Sequence, residues 1–294
     1  MKSQKSAEPG GGKLFLVGTP IGNLEDMTFR AIRILKEVDM IAAEDTRNTI
    51  RLCNHFEIKT PLMSYHEHNI EVGGEKILAM LAEGKTVALV SDAGMPCISD
   101  PGSDIAAKAI VAGYDVVPVP GANAAISALV ASGLAPQPFL FFGFVSRQKK
   151  ERSRQLDVLK RQEETVILYE APHRLKETLR ALESSFGGER QVVLARELTK
   201  RFEEFLRGTL EEAVLWAESN DIRGEFCIVI EGSNGVVEEQ QDVWWKGIAV
   251  RDHVIELMER KELRSKEAIR EVANERGMSR RDVYKDYHVE NEGM

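Results

Sequence analysis

The segment Thr86-Val-Ala-Leu-Val-Ser-Asp-Ala-Gly-Met-Pro-Cys-Ile-Ser-Asp-Pro-Gly102 points to an α/β architecture. Val87 to Val90 is a short apolar, β-branched run, the mark of a strand buried on both faces. It empties into Ser91, Asp92, Ala93 and Gly94, and small side chains let a backbone approach a ligand closely. Asp100 then reads as a helix N-cap, with Pro101 at the first helical position. In open α/β sheets, ligands bind where such loops leave the carboxyl ends of strands. The same residues also fit an ordinary strand-to-helix turn, so repetition along the chain matters.

The element does repeat. Lys13 to Val17 opens into Gly18-Thr-Pro-Ile-Gly-Asn-Leu-Glu-Asp26, and Val116 to Val119 runs into Pro120-Gly-Ala-Asn-Ala-Ala125. Between these strands, apolar residues recur three or four apart: Phe29, Ile32, Leu35 and Val38, then Ile77, Leu78 and Leu81, then Ile105, Ala109 and Ala112. Met40 to Ala43 is a further strand. The βαβα rhythm predicts a mostly parallel sheet covered by helices. A Pro- and Gly-rich break at Gly133-Leu-Ala-Pro-Gln-Pro138 precedes a second set of strands at 139–144, 165–169, 192–195, 204–208 and 226–230. Short strands in succession around Arg196 to Thr209 predict antiparallel pairing there and a mixed sheet.

The expected organisation is a disordered lead-in over 1–12, α/β domains over 13–135 and 136–232, a linker over 233–242 and a small helical domain over 243–294. A ligand cleft is expected between the two α/β domains. Near the end, Ala273, Gly277 and Val283 have the spacing of a helix-turn-helix. Ser279 and Asp282 form a capping-box-like start, although a plain helix hairpin fits equally well.

Composition bounds the function. With 43% hydrophobic and 29% charged residues in 294, the chain is ordinary for a globular protein. No apolar run reaches the roughly 20 residues that span a bilayer, and Met1 to Gly12 lacks the apolar core of a secretory signal. The cytoplasm is the expected compartment. Cys53, Cys97 and Cys227 are widely spaced and read as reduced thiols. His66 and His68 would share a strand face but have no partners at ligand spacing, so no metal is expected. A net charge of −8 argues against indiscriminate polyanion binding. Yet Arg147 to Arg161 carries seven cationic residues against two carboxylates, either a solvated helix face or a patch for RNA phosphates. Lys246 to Lys285 holds eleven basic and eight acidic residues, which fits an RNA-contacting appendage without requiring one.

No G-x-G-x-x-G follows a strand and no Walker A sequence occurs, which argues against nicotinamide dehydrogenases and P-loop ATPases. The three loops, together with Tyr169-Glu-Ala-Pro-His-Arg174, Ala195-Arg-Glu-Leu-Thr-Lys200 and Gly224-Glu-Phe226, resemble the tetrapyrrole-methylase superfamily. The resemblance covers about residues 13–232 and extends to a C-terminal helical appendage. Where the tetrapyrrole-modifying members usually carry Gly-Asp-Pro, this chain has Asp92-Ala93-Gly94. Its first loop is also poorer in Gly and Pro. Both departures match the branch that uses S-adenosylmethionine to methylate a cytidine ribose 2′-hydroxyl in 16S ribosomal RNA. The resemblance implies direct methyl transfer, two α/β domains with the cofactor folded between them, and a homodimer.

Carried over residue by residue, the resemblance places Asp92, Ala93, Gly94 and Ile98 along the methionine and sulfonium end of the cofactor. Ala122, Asn123 and Ala124 would sit beside it, Phe142, Tyr169 and Ala171 would cover it, and Pro20 would face the acceptor entrance. For the acceptor's polar surroundings, the residues themselves offer Glu44, Asp45 and Arg47 just past one strand and Glu197 and Lys200 past another, because a ribose hydroxyl needs help in losing its proton. Each is equally suited to a salt bridge. Arg147, Lys149, Lys150, Arg152 and Arg154 are the candidate RNA contacts. His173 and Arg174, at a helix start that favours anions, join them or simply face solvent. Two rival functions remain open from sequence: methylation of a tetrapyrrole-like small molecule, and a ligand-sensing nucleic-acid-binding regulator that uses Arg251, Lys266, Arg280 and Arg281.

Overall fold

A computed structural model describes residue 4, residues 11–233, residue 245 and residues 247–261 and 263–288. The expected disordered lead-in and the linker over 233–242 lie almost wholly outside these residues. The chain forms two compact units, Met1–Gly235 and Val236–Met294.

In the first unit, β1 (Lys13–Val17), β2 (Met40–Ala43), β3 (Leu62–Ser64), β4 (Thr86–Val90) and β5 (Asp115–Val119) form an all-parallel sheet in the order β3-β2-β4-β1-β5. Alternate residues of these strands feed two separate cores. Leu14, Ala42, Val87 and Leu89 pack with Ile77 and Leu81 of α3 (Ile70–Ala82) and with Ile105 and Ala109 of α4 (Ser103–Ala112). Val17, Ile41, Ala43, Ala88 and Val90 pack with α1 (Phe29–Glu37) and with Cys53 of α2 (Thr46–His55). Burial on both faces explains why the strands read as continuous apolar runs.

Three local readings are corrected. Phe29 is not part of the apolar stripe of α1. It is the first helical residue, 94% exposed, while Ala31, Ile34 and Leu35 carry the burial. Asp100 does not cap α4. Gly102, at φ 136°, holds the N-cap position, and the helix starts at Ser103, after Pro101 rather than at it. Sequence periodicity also missed α2, in which only Thr49 and Cys53 are buried, and the three-residue β3.

The second sheet comprises β6 (Phe139–Gly143), β7 (Thr165–Glu170), β8 (Gln191–Arg196), β9 (Glu204–Thr209) and β10 (Phe226–Ile230), in the order β6-β7-β10-β8-β9. Only β6–β7 is parallel. The expected antiparallel pair is β8–β9, in register from Gln191↔Thr209 to Arg196↔Glu204. One face is covered by α6 (Lys149–Leu159), α7 (Pro172–Phe186) and α8 (Leu210–Ser219), with Leu175, Leu179 and Leu182 fully buried. The other face is covered by α5 (Ala124–Ser132), whose Ala125, Ala128 and Leu129 pack on Ile167, Val193, Ala195, Cys227 and Val229. A boundary at 135/136 therefore separates α5 from the sheet that buries its apolar face. Arg207 of β9 ties down its far end by donating to Ala131 O at 2.7 Å and Ser132 O at 3.1 Å.

The second unit contains α9 (Val250–Lys261), α10 (Ser265–Arg276) and α11 (Arg280–His288), packed around Val254, Leu257, Ala268, Ile269, Val272 and Val283. Gly277, at φ 65°, ends α10, and Ser279 Oγ accepts from Asp282 N at 3.2 Å to start α11. Arg276 is built into this unit, donating to Ile248 O at 2.8 Å and His253 Nδ1 at 3.0 Å. Among the described residues no helix is long and apolar enough to cross a membrane.

Candidate active site

The loops leaving β1, β4 and β5 converge because the strands are neighbours. Gly18 N donates to Val119 O, and Thr19 and Gly94 exchange backbone hydrogen bonds at 2.9 and 3.1 Å. Gly18 and Gly121 pass so closely that a Cβ on Gly18 would fall 2.7 Å from Gly121 Cα, so neither tolerates a side chain. Opposite these loops stand the ends of β7, β8 and β10. The space between is a cavity of about 260 Å³.

Of the residues assigned to a cofactor, Ala93, Gly94, Ile98, Asn123, Ala124, Tyr169 and Ala171 line this cavity. Tyr169 is fixed in place: its Oη accepts from Ala125 N at 3.1 Å, and burial pushes the phenol up to about 12. Asn123 caps α5 by accepting from Ile126 N at 3.0 Å. Phe142 lies outside the lining. A register shift between Phe141 and Gly143 turns it outward and puts Phe144 against Tyr169, ring centroids 5.8 Å apart. Pro20 likewise yields the wall to its neighbour Ile21. Ala122 stays outside the lining, its carbonyl behind Gly94.

On the second-half wall, Glu197 and Lys200 lie together as expected, joined by a residue the sequence reading quoted but did not select, Glu225. Lys200 Nζ is 2.9 Å from both Glu197 Oε1 and Glu225 Oε2, and Glu197 Oε1 also accepts from Glu225 N at 3.0 Å. Burial opposes the charge on both groups, but their mutual hydrogen bonds prevail: Glu197 stays below its ordinary pKa and Lys200 above. The loop is held in sparsely populated conformations, Glu197 at φ 51° and Thr199 at φ 66°, a pattern that concentrates at functional sites. Gly22 permits the approach of the Lys200 stem, since a Cβ there would lie 2.4 Å from Lys200 Cγ.

Among the lining residues of the first half only Asp100 is acidic, with Glu44 close by but outside the lining. Glu44 accepts from Asp92 N at 3.4 Å, and burial raises its pKa. Asp100 lines the cavity, where burial, reinforced by the charge of Glu44, pushes it up to about 7 against a hydrogen bond from Ser91. Among the described residues Lys200 is the only cation lining the cavity.

Other selected residues do structural work. Asp45 caps α2 and is gripped by Arg47, whose Nη2 lies 2.7 Å from Asp45 Oδ2, holding the carboxyl near 2. Neither lines the cavity. Asp92 does not either: its oxygens accept from Asp45 N and Asn48 Nδ2, bracing the loop. Arg152 is buried and paired with Glu177 at 2.5 Å, because its helix position faces α7. Arg174 donates to Val145 O at 2.8 Å and lies 3.4 Å from the buried Glu170. Arg154 is exposed but 3.5 Å from Glu151. Arg147, Lys149, Lys150 and His173 are exposed. Cys53 and Cys227 are buried and Cys97 half-buried, all three free. Among the described residues no three His, Cys, Asp or Glu side chains are arranged to hold a metal ion.

Residues 13–214 match the family of tetrapyrrole (corrin/porphyrin) methylases. The fold agrees: the methyltransferase CobJ superposes with a TM-score of 0.58 at 19% identity, over 76% of this chain and 95% of its own. Uroporphyrin-III C-methyltransferase from Thermus thermophilus complexed with S-adenosylhomocysteine gives 0.55 at 18% identity, over 75% and 97%. The chain belongs to this family and is a methyltransferase.

More specifically, it is 55% identical to ribosomal RNA small subunit methyltransferase I of Bacillus subtilis (strain 168) over 95% of this chain and 94% of that protein. The protein of the same description from Halalkalibacterium halodurans is also 55% identical, over 99% and 100%.

Proposed function

We propose that this chain uses S-adenosylmethionine to methylate the 2′-hydroxyl of a cytidine ribose in 16S ribosomal RNA. The observation that carries the site is the charge imbalance of the cavity: mostly apolar walls, one cation already held by two carboxylates, Glu170 paired with Arg174, and Asp100, with which no cation among the described residues pairs. Such a site fits an amphiphilic, positively charged ligand of the kind this cofactor is. When bound, the cofactor supplies an electrophilic methyl group on a sulfonium. Ile98, Phe144, Tyr169 and Ala171 would pack its apolar parts, and Asp100, when ionised, complements its charge. End-to-end likeness to proteins described as small-subunit rRNA methyltransferases supports the acceptor.

Lys200 stays an ammonium at neutral pH, since its paired carboxylates raise its pKa. Its role is therefore to orient the hydroxyl and stabilise the developing alkoxide, the proton leaving to solvent as the ribose oxygen–methyl bond forms and the methyl–sulfonium bond breaks. Glu197 and Glu225 hold it in place, and the strained 197–200 loop fixes its direction, which is how positioning lowers the barrier of an in-line transfer. Arg201 and Phe202, exposed on the same loop, extend toward the RNA. A homodimer completes the proposal, checked by light scattering.

The test is to incubate the protein with methyl-labelled S-adenosylmethionine and small subunits from cells lacking the gene, then map the label. One ribose resistant to alkaline cleavage is the expected result. Cofactor binding without label in RNA overturns the acceptor and favours a small-molecule substrate.

A further inference from the structure

Helix α11 sorts its side chains by direction. At about 100° per residue, Arg280, Tyr284, His288, Arg281 and Lys285 fall within one arc of about 140°. All five are exposed, Tyr284 by 57%. Val283 faces the bundle core with Tyr287 packed against it, and the two acids occupy the remaining sector, Asp282 being tied to Ser279 Oγ at 2.6 Å. Among the described residues no carboxylate pairs with Arg280, Arg281 or Lys285, whereas Lys261 of α9 is bonded to Glu271 at 3.2 Å. Tyr284 and His288 add a continuous ring surface, centroids 4.3 Å apart, in the middle of the cationic arc.

A second observation concerns the extent of the resemblance. The uroporphyrin-III C-methyltransferase structure uses 97% of its length to cover 75% of this chain, and the family match ends at residue 214. The Halalkalibacterium halodurans protein described as a ribosomal RNA methyltransferase covers 99% of it. About a quarter of the chain thus has no counterpart in the uroporphyrin-III C-methyltransferase structure, and the family match ends before α9–α11.

We propose that α11 is an RNA-docking helix. Arg280, Arg281 and Lys285 take backbone phosphates, and the Tyr284–His288 surface stacks on an unpaired base of small-subunit ribosomal RNA. The inference rests on the rRNA-methyltransferase reading above and deepens it by naming the surface that recruits the substrate. Cations alone would suit any polyanion. Rings set among them favour single-stranded RNA, in which bases are free to stack.

The experiment measures affinity of the full-length protein for an unmethylated 16S rRNA transcript across salt concentrations, and so needs no methyl transfer. For R280A/R281A/K285A the expected Kd rises about 10–100-fold near physiological salt, and the log–log salt slope becomes shallower by about 2–3. Tyr284→Ala should weaken binding about fivefold or more without changing the slope, and Tyr284→Trp should restore it. R280K/R281K should retain most of the affinity, and cofactor binding and thermal melting should match wild type throughout, because these side chains are exposed. A triple variant with unchanged affinity and slope overturns the proposal. So does tighter binding of duplex DNA than of the transcript through the same residues. A wild type that binds the transcript through α11 but transfers no methyl group refutes the acceptor reading and leaves this inference standing.

Discussion

The two walls of the cavity solve opposite electrostatic problems. On the wall built by the first sheet Asp100 meets no cation among the lining residues on its side, and its carboxyl, like that of nearby Glu44 outside the lining, is pushed up chiefly by burial. The wall built by the second sheet closes its charges on each other, so that Glu197 is held down and Lys200 up despite burial. An unsatisfied wall favours a ligand of opposite charge, and a satisfied wall holds a side chain still. Under the proposed function, Asp100 on the first wall would complement the charge of the cofactor, while the Glu197–Lys200–Glu225 cluster on the second would position the acceptor.

Lys200→Met tests that division most severely. Removing the ammonium should lower the single-turnover rate of methyl transfer about 10²–10⁴-fold, with cofactor affinity changed by less than about threefold. A large loss of cofactor affinity with an intact rate would reverse the assignment of the walls.

Asp100 gives a smaller, pH-dependent effect. Its folded value of about 7 lies above the ordinary aspartate value near 3.9, so the folded protein binds the extra proton between those limits. Stability contributed by the protonated form is therefore complete below about pH 4 and lost as pH rises through about 7. Asp100→Asn should melt higher than wild type at pH 8 and like wild type near pH 4. Because the carboxyl is ionised only above about 7, preference for cationic S-adenosylmethionine over neutral S-adenosylhomocysteine should grow several-fold from pH 6 to 8 by calorimetry. In Asp100→Asn it should stay flat. A wild-type preference independent of pH breaks the comparison on its acidic side.

What was legible in the sequence follows the same physics. Both sheets could be read because strands buried on both faces, or paired in short succession, leave long apolar signatures: Val87–Val90, Thr165–Tyr169, Phe226–Ile230. The loops that line the cavity were readable from small residues after those strands. Side-chain direction was not. Phe142 and Phe144 differ only by a register shift that no pattern announces. Asp100 looks like a cap until Gly102 takes that position, and Asp45 looks like an acid–base group until Arg47 closes on it. Glu225 was quoted within Gly224-Glu-Phe226, but its value depends on β10 ending beside the β8–β9 loop, a contact between distant residues. Charge density says least about direction. Arg147 to Arg161 reads as either a solvated helix face or a patch for RNA phosphates, and packing removes Arg152 from it into an ion pair while Lys149 and Lys150 stay in solvent.

That last difference yields the finest test, since it sets a buried, ion-paired cation and two exposed ones within one helix. Arg152 lies against α7 with its guanidinium on Glu177, and its stem covers apolar surface. Arg152→Ala should cost about 1–2 kcal/mol in denaturant unfolding, through lost packing and a lost hydrogen bond to a charged group. Lys149→Ala and Lys150→Ala should stay within about 0.5 kcal/mol, as exposed substitutions do. RNA affinity should respond in the opposite order, each lysine substitution flattening the salt slope by about 0.7–0.9 if it meets a phosphate, and Arg152→Ala leaving the slope alone. Should Arg152→Ala flatten the slope while leaving stability untouched, the guanidinium belongs to the RNA surface after all, and the distinction between wired and free charge would fail at the residue where the structure draws it most clearly.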